Sequence, residues 1–136
     1  MLNKLLILPL FFISTVLIGQ TSQREVFKLK AISMAEQSAK TDYEWSDWRS
    51  IDQYVIINTK IGRINITGGD NLFFEVLDSE VGTPTQKDAV AMTTFQTYDA
   101  FGDRCEIDLI AFEDNSLQMY FNYSKLRLVF ELRSME

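Results

Sequence analysis

Leu117-Gln118-Met119-Tyr120-Phe121-Asn122-Tyr123-Ser124-Lys125-Leu126-Arg127-Leu128-Val129-Phe130-Glu131-Leu132-Arg133 is the stretch that decides the fold. Its apolar residues fall at every second position on either side of Ser124-Lys125. Successive side chains of a strand point to opposite faces, so each half reads as a strand with one apolar face. A two-residue turn at Ser124-Lys125 sets Tyr123 opposite Leu126 and Phe121 opposite Leu128, and the two apolar faces merge. A slip of one residue would turn one whole apolar set to the wrong side.

Working outward, Arg104 to Phe112 puts Cys105, Ile107, Leu109 and Ala111 on one face. A three-residue loop at Asp114-Asn115-Ser116 is expected to align Leu109 with Phe121 and Ile107 with Tyr123, with Asp and Asn suited to the left-handed position of such a loop. On the opposite face the same registers line up Ile110, Tyr120 and Val129. That row is a candidate interaction patch, since large open apolar patches mark binding surfaces. The structural alternative is that the Val26 to Ile32 segment or a second sheet layer covers it.

Further short runs read as strands: Val26 to Ile32, Tyr43 to Ile51, Gln53 to Thr59, Arg63 to Thr67, Leu72 to Leu77 and Ala91 to Tyr98. Their spacing, with turn residues between, is the all-β pattern. Ala31 to Lys40 is the best helical window, and it equally continues the first strand. The longest connection is Asp78 to Asp88, which holds Gly82 and Pro84 and suits a loop at one mouth of the sheet. The expected fold is therefore all-β, a single antiparallel meander closing into a barrel or flattened barrel of about eight strands, which hides its edges. A two-sheet sandwich is the alternative.

The chain opens Met1-Leu2-Asn3-Lys4, followed by an uncharged apolar run from Leu5 to Ile18. A positive end, a short apolar core and a small residue at Gly19 describe a secretion signal, too short for a spanning helix of about 20 residues. Residues 1–19 are expected to be the signal peptide and residues 20–136 a single all-β domain. Leu17 is large for the position it would hold before the cleavage point, so a retained anchor is the alternative. The expected location is exported: periplasm, outer surface or extracellular, with membrane contact only through the signal segment before cleavage.

The formal net charge is −6, and loss of Lys4 with the signal makes it −7. Nucleic acid is disfavoured as a partner, because binding to it draws on clustered Lys and Arg. The chain carries one cysteine, Cys105, so no internal disulfide can staple it and stability must come from packing. Cys105 shares its face with Ile107 and Leu109 and reads as a small buried hydrophobe.

Histidine is absent. That removes the usual serine and cysteine triads, histidine metal sites and the commonest general base. Glu106 and Asp108 share a strand face beside Arg104, but the sequence announces no cleft between paired carboxylates. No catalytic residue, metal ligand or cofactor is assigned. The expectation is a non-catalytic domain that binds a small apolar ligand or a glycan; the alternative is a protein-interaction or envelope-structural domain using the exposed apolar sheet face. Trp45 and Trp48 are the candidate ligand-binding residues: three apart in a regular strand, they would face opposite sides, leaving one open to stack on a sugar ring or line a ligand mouth.

At Val26-Phe27, Trp45-Ser46-Asp47-Trp48, Tyr54-Val55-Ile56-Ile57-Asn58, Asp99-Ala100-Phe101-Gly102-Asp103-Arg104-Cys105 and Tyr120-Phe121-Asn122-Tyr123, the chain resembles a loose group of short exported bacterial β-rich proteins of unknown function. The resemblance implies no activity. By analogy with calycin-like and lipocalin-like barrels, which pack an early tryptophan beneath a late arginine, Arg127 or Arg133 would lie over Trp45 or Trp48. The Gly-x-Trp signature of those barrels is missing here.

Overall fold

A computed structural model describes residues 25–69 and 71–135. The expected signal segment, residues 1–19, lies outside the described residues. The chain is a closed antiparallel barrel of eight strands in sequence order, each paired with its chain neighbours, with the last returning to the first. The strands are β1 Val26–Gln37, β2 Arg49–Asn58, β3 Arg63–Thr67, β4 Leu72–Gly82, β5 Ala89–Asp99, β6 Arg104–Phe112, β7 Leu117–Asn122 and β8 Arg127–Ser134. A short 3-10 turn, Ala39–Thr41, follows β1. Closure removes the free edges that a sandwich would keep.

The β7–β8 hairpin has the register read from the sequence: Phe121 stands opposite Leu128, and Tyr123 N–H donates to Leu126 O at 2.8 Å across Ser124-Lys125. The β6–β7 register differs. Leu109 faces Met119 and Ile107 faces Phe121, so the loop is Glu113-Asp114-Asn115, one residue earlier than expected. The reason lies at Asn115, whose φ of 69° occupies the left-handed third position of this loop. Asp114 Oδ1 then accepts both the N–H and the hydroxyl of Ser116. The pairing moves by two residues, so every side chain keeps its face.

Bulges reshape the other strands. Extra residues at Ile32 in β1 against β8, Leu77 in β4 and Val90 in β5 break the ladders, and β2 carries one extra residue against β1 between Ser50 and Gln53. In β1 the inward set is Phe27, Leu29 and Ala31 before the bulge and Met34 after it; in β4 it is Phe74 and Val76, then Ser79. An added residue bends a strand and flips its alternation. Consequently β1 runs on to Gln37 where a helix was the alternative, and β4 runs on to Gly82, shortening the expected Asp78 to Asp88 connection to 83–88.

The bore is filled. Phe74, Phe121 and Phe130, all 3% exposed or less, touch in sequence, with ring centroids 5.3 Å apart for Phe74–Phe121 and 5.1 Å for Phe121–Phe130. In an eight-strand ring β4 and β8 stand on opposite walls, so this file of rings crosses the whole bore. Barrels of this size are just wide enough to be packed by their own side chains. Inward positions are mostly apolar, with Ser79, Thr93 and Thr97 among them, while the outer wall carries Lys28, Lys30, Asp52, Glu75 and Glu106, the reverse of a lipid-spanning barrel. No helix among the described residues is long and apolar enough to cross a membrane.

One inward hydroxyl is unsatisfied. Thr97 Oγ1 donates to Cys105 O at 2.7 Å, but Thr93 Oγ1, on a residue with no exposed surface, has no hydrogen-bond partner among the described residues. Thr93→Val keeps the shape and drops the unpaired group. It is expected to raise stability by about 1 kcal/mol, read as a higher urea midpoint with an unchanged slope.

Candidate functional site

One mouth of the barrel carries the β1–β2, β3–β4, β5–β6 and β7–β8 connections, and there the wall opens into a cleft. The β5–β6 hairpin ends in Ala100-Phe101-Gly102-Asp103, and its shape is set by Asp99. Asp99 Oδ1 accepts the N–H groups of Phe101 and Asp103, both at 2.9 Å, and Oδ2 accepts the Tyr123 hydroxyl at 2.9 Å. Gly102 takes a φ of 86°, with nothing near the place a Cβ would occupy. The consequence is a fixed hairpin tip that holds Phe101 out at 83% exposure.

Between this tip and the Ser124-Lys125 turn lies an open cleft of about 880 Å³. Leu72, Tyr123, Leu126 and Leu128, all half-buried, give it an apolar floor, and Phe101 stands at its rim. Asp103, Arg104, Glu106, Asn122 and Lys125 supply polar edges. A smaller hollow of about 320 Å³ adjoins it on the other side of the turn, and Lys125 and Leu126 line both.

Burial dominates the titrating groups beneath the cleft. It pushes the Cys105 thiol up to about 12, assisted by the Asp99 charge. Burial also pushes the Tyr123 phenol up, and its hydrogen bond to Asp99 adds to the effect. Burial works to raise Asp99, but the hydrogen bonds from Asp103, Tyr123 and Phe101 outweigh it and hold its carboxyl below the ordinary range. Neither the thiol nor the phenol ionises near neutrality, so neither is a ready nucleophile. Cys105, 2% exposed, is expected to resist Ellman's reagent in the native state and to react fully in denaturant; prompt native labelling would contradict this. Among the described residues no three of Asp, Glu or Cys cluster as metal ligands would.

On the outer wall, Glu106 accepts from Gln96 Nε2 at 2.9 Å, and Asp108 accepts from Thr94 at 2.7 Å and Asn122 at 3.1 Å. Burial raises the Asp108 carboxyl. The two carboxylates are thus tied to neighbouring strands and do not face each other across a cleft.

The tryptophans stand elsewhere. The expected strand Tyr43 to Ile51 begins only at Arg49, because Asp42 and Tyr43 take positive φ angles of 53° and 60° that break an extended run. Residues 43–48 fold back along the end of β1 instead, where Trp45 bridges to Gln37 and Ser46 N–H donates to Glu36 O at 2.8 Å. Trp45 is 39% and Trp48 49% exposed, so neither is in the core, and neither lines the cleft.

Trp45 instead meets the row expected on the outer face. Its ring lies edge-on to Tyr120 with centroids 6.0 Å apart, and the Arg127 guanidinium sits 5.3 Å from the Trp45 ring and 5.6 Å from the Tyr120 ring. Arg127 Nε is fixed in turn by Asn122 Oδ1 at 2.8 Å. Tyr120 stands opposite Val129 as expected, but the two-residue shift sets Asp108 opposite Tyr120 and Gln118 opposite Ile110, so Ile110 lies diagonal to the row; Ile110 is 1% and Val129 3% exposed and Tyr120 is half-buried. This corrects the expectation of an exposed apolar sheet face. The cover is neither the Val26 to Ile32 segment nor a second sheet: Trp45 and Arg127 lie over Tyr120, whose hydroxyl donates to Gln118 Oε1 at 3.2 Å.

The residues that line the cleft were not singled out in the sequence, although one local signal was there. Aspartate two residues before an aromatic, with glycine next, is the pattern of an Asx-stabilised turn presenting that aromatic at its tip. No protein-family model matches this chain, and neither a curated protein nor a solved structure matches it.

Proposed function

We propose that this chain is an exported, non-catalytic binding domain that holds a small ligand with an apolar body in the mouth cleft rather than in the bore. The observation that carries the reading is the apolar-floored cleft of about 880 Å³ with Phe101 presented at 83% exposure beside it. Ligand sites are concave, mostly apolar and of about 300–1,000 Å³, with a few placed polar groups. With the apolar floor beside it Phe101 extends a contiguous apolar surface, and such surfaces mark ligand-binding grooves. The file of rings across the bore supports the mouth over the interior. Export rests on residues 1–19 alone, and the non-catalytic reading on the lack of histidine, the suppressed thiol and phenol, and the saturated Asp99.

A fluorescence titration with N-phenyl-1-naphthylamine tests it. Phe101→Ala is expected to weaken probe binding about tenfold, about 1.4 kcal/mol, while leaving the urea midpoint unchanged. Equal affinities for both proteins would overturn the reading. A glycan stacked on Trp48 is the second reading, supported by that ring's 49% exposure. Docking through the Ile110, Tyr120, Val129 row has the burial of Ile110 and Val129 against it.

A further inference from the structure

We infer that the ligand of the mouth cleft is an amphiphile with a single anionic head, its apolar body on the cleft floor and its head over Lys40 and Lys125. This rests on the cleft reading above and adds the direction in which the ligand lies. The smaller hollow runs between Glu36, Ser38, Ala39 and Lys40 on one side and Lys125 and Leu126 on the other. Because Lys125 and Leu126 also line the cleft, the two hollows share the β7–β8 turn as a wall, and a ligand lying across that turn would follow a path through both.

Charge is distributed unevenly along that path. The hairpin side holds Asp99, Asp103 and Glu106, which would repel an anion. Its one cation, Arg104, is turned toward β5, with Nη2 on Gln96 Oε1 at 3.4 Å and its guanidinium 6.0 Å from the Tyr98 ring. At the far side stand Lys40 and Lys125, both exposed and neither in an ion pair among the described residues. The acid there, Glu36, accepts the Ser38 hydroxyl at 2.9 Å through Oε2. In a protein of net charge −6, two uncommitted ammonium groups beside an apolar floor are a local reversal of sign. Lysine is a compact charge on a flexible stem that meets an anionic head without a fixed fork geometry, so carboxylate and phosphate heads are equally suited.

Decanoate and 1-decanol share an apolar body and differ in charge, so displacement of bound N-phenyl-1-naphthylamine by each, on the full chain, separates body from head. With the double variant Lys40→Gln/Lys125→Gln, decanoate affinity is expected to fall about five- to twentyfold while decanol affinity stays the same. Raised salt should shrink the difference, since exposed pairs are screened. An unchanged decanoate affinity, or an equal loss for decanol, would overturn the head assignment and leave the cleft reading standing. Failure of both compounds to displace the probe from the unsubstituted protein would overturn the cleft reading and the head assignment together. Both lysines lie in exposed turns, and an unchanged urea midpoint confirms that the variant is folded.

Discussion

Phe121→Ala is expected to lower stability by about 3–5 kcal/mol, the usual cost of truncating a fully buried phenylalanine. For a domain of this size that corresponds to a fall in Tm of about 10–20 °C, read by thermal circular dichroism. Phe121 is 1% exposed and is the middle ring of the file that crosses the bore, touching Phe74 on one wall and Phe130 toward the other. Its loss removes contacts on two sides at once, and β-sheet walls tied by hydrogen bonds on both edges cannot collapse to refill the gap. The same measurement bears on function. A loss below about 1 kcal/mol would mean that the bore already holds slack volume, contrary to a packed core, and would return the interior to consideration as a ligand chamber. The full loss, with the protein still folded, should create a dry void able to take a small apolar guest such as benzene.

Trp45→Ala carries the second largest expected effect, about 2–3 kcal/mol. The ring makes an edge-to-face pair with Tyr120, worth about 0.5–1.5 kcal/mol, and a cation–π contact with Arg127, worth about 0.5–2 kcal/mol. Tyr120, which the ring holds, stands opposite Val129, and Val129 pairs in turn with Ala35, each 3% exposed. Urea unfolding followed by circular dichroism gives the loss. With the ring gone the pair Tyr120 and Val129 opens, and light scattering should show weak self-association of the variant. An unchanged midpoint would mean that the 38–48 segment only rests on the wall.

The strands were legible where alternation runs unbroken, and they were lost at the bulges. The apolar alternation breaks at Ile32, at Leu77 and, from the other side, at Ala91; these mark the extra residues Ile32, Leu77 and Val90. An inserted residue changes which parity is apolar, so Ala31 followed by Met34 imitates helical spacing, and Val76 followed by Ser79 imitates the start of a polar loop. The pattern itself was intact; its phase had moved. Residues 43–48 failed differently. Tyr43, Trp45 and Trp48 have strand propensity, but Asp42 and Tyr43 in the left-handed region turn the chain, and local propensity yields to that.

The candidate site was hidden for a related reason. Its members Leu72, Phe101, Tyr123, Leu126 and Leu128 come from three separate connections and adjoining strand ends, brought together by closure alone. The bond from Tyr123 to Asp99 joins two hairpins, and no local pattern foretells it. The tryptophan–arginine contact was anticipated in kind at Arg127 and Trp45, but not its meeting with Tyr120.

Closure also governs how the chain can acquire its shape. Seven of the eight ladders join strands adjacent in sequence and form as successive hairpins, all but the β1–β2 pair from a short loop. The eighth joins β1 to β8, setting Leu29 against Ser134, from opposite ends of the described chain. Its loop entropy must be met in one late step, after the meander has already formed. Until then β1 and β8 are bare edges. The single slow event should therefore be docking of β1, and the unclosed meander is the species most exposed to edge pairing with other chains during folding.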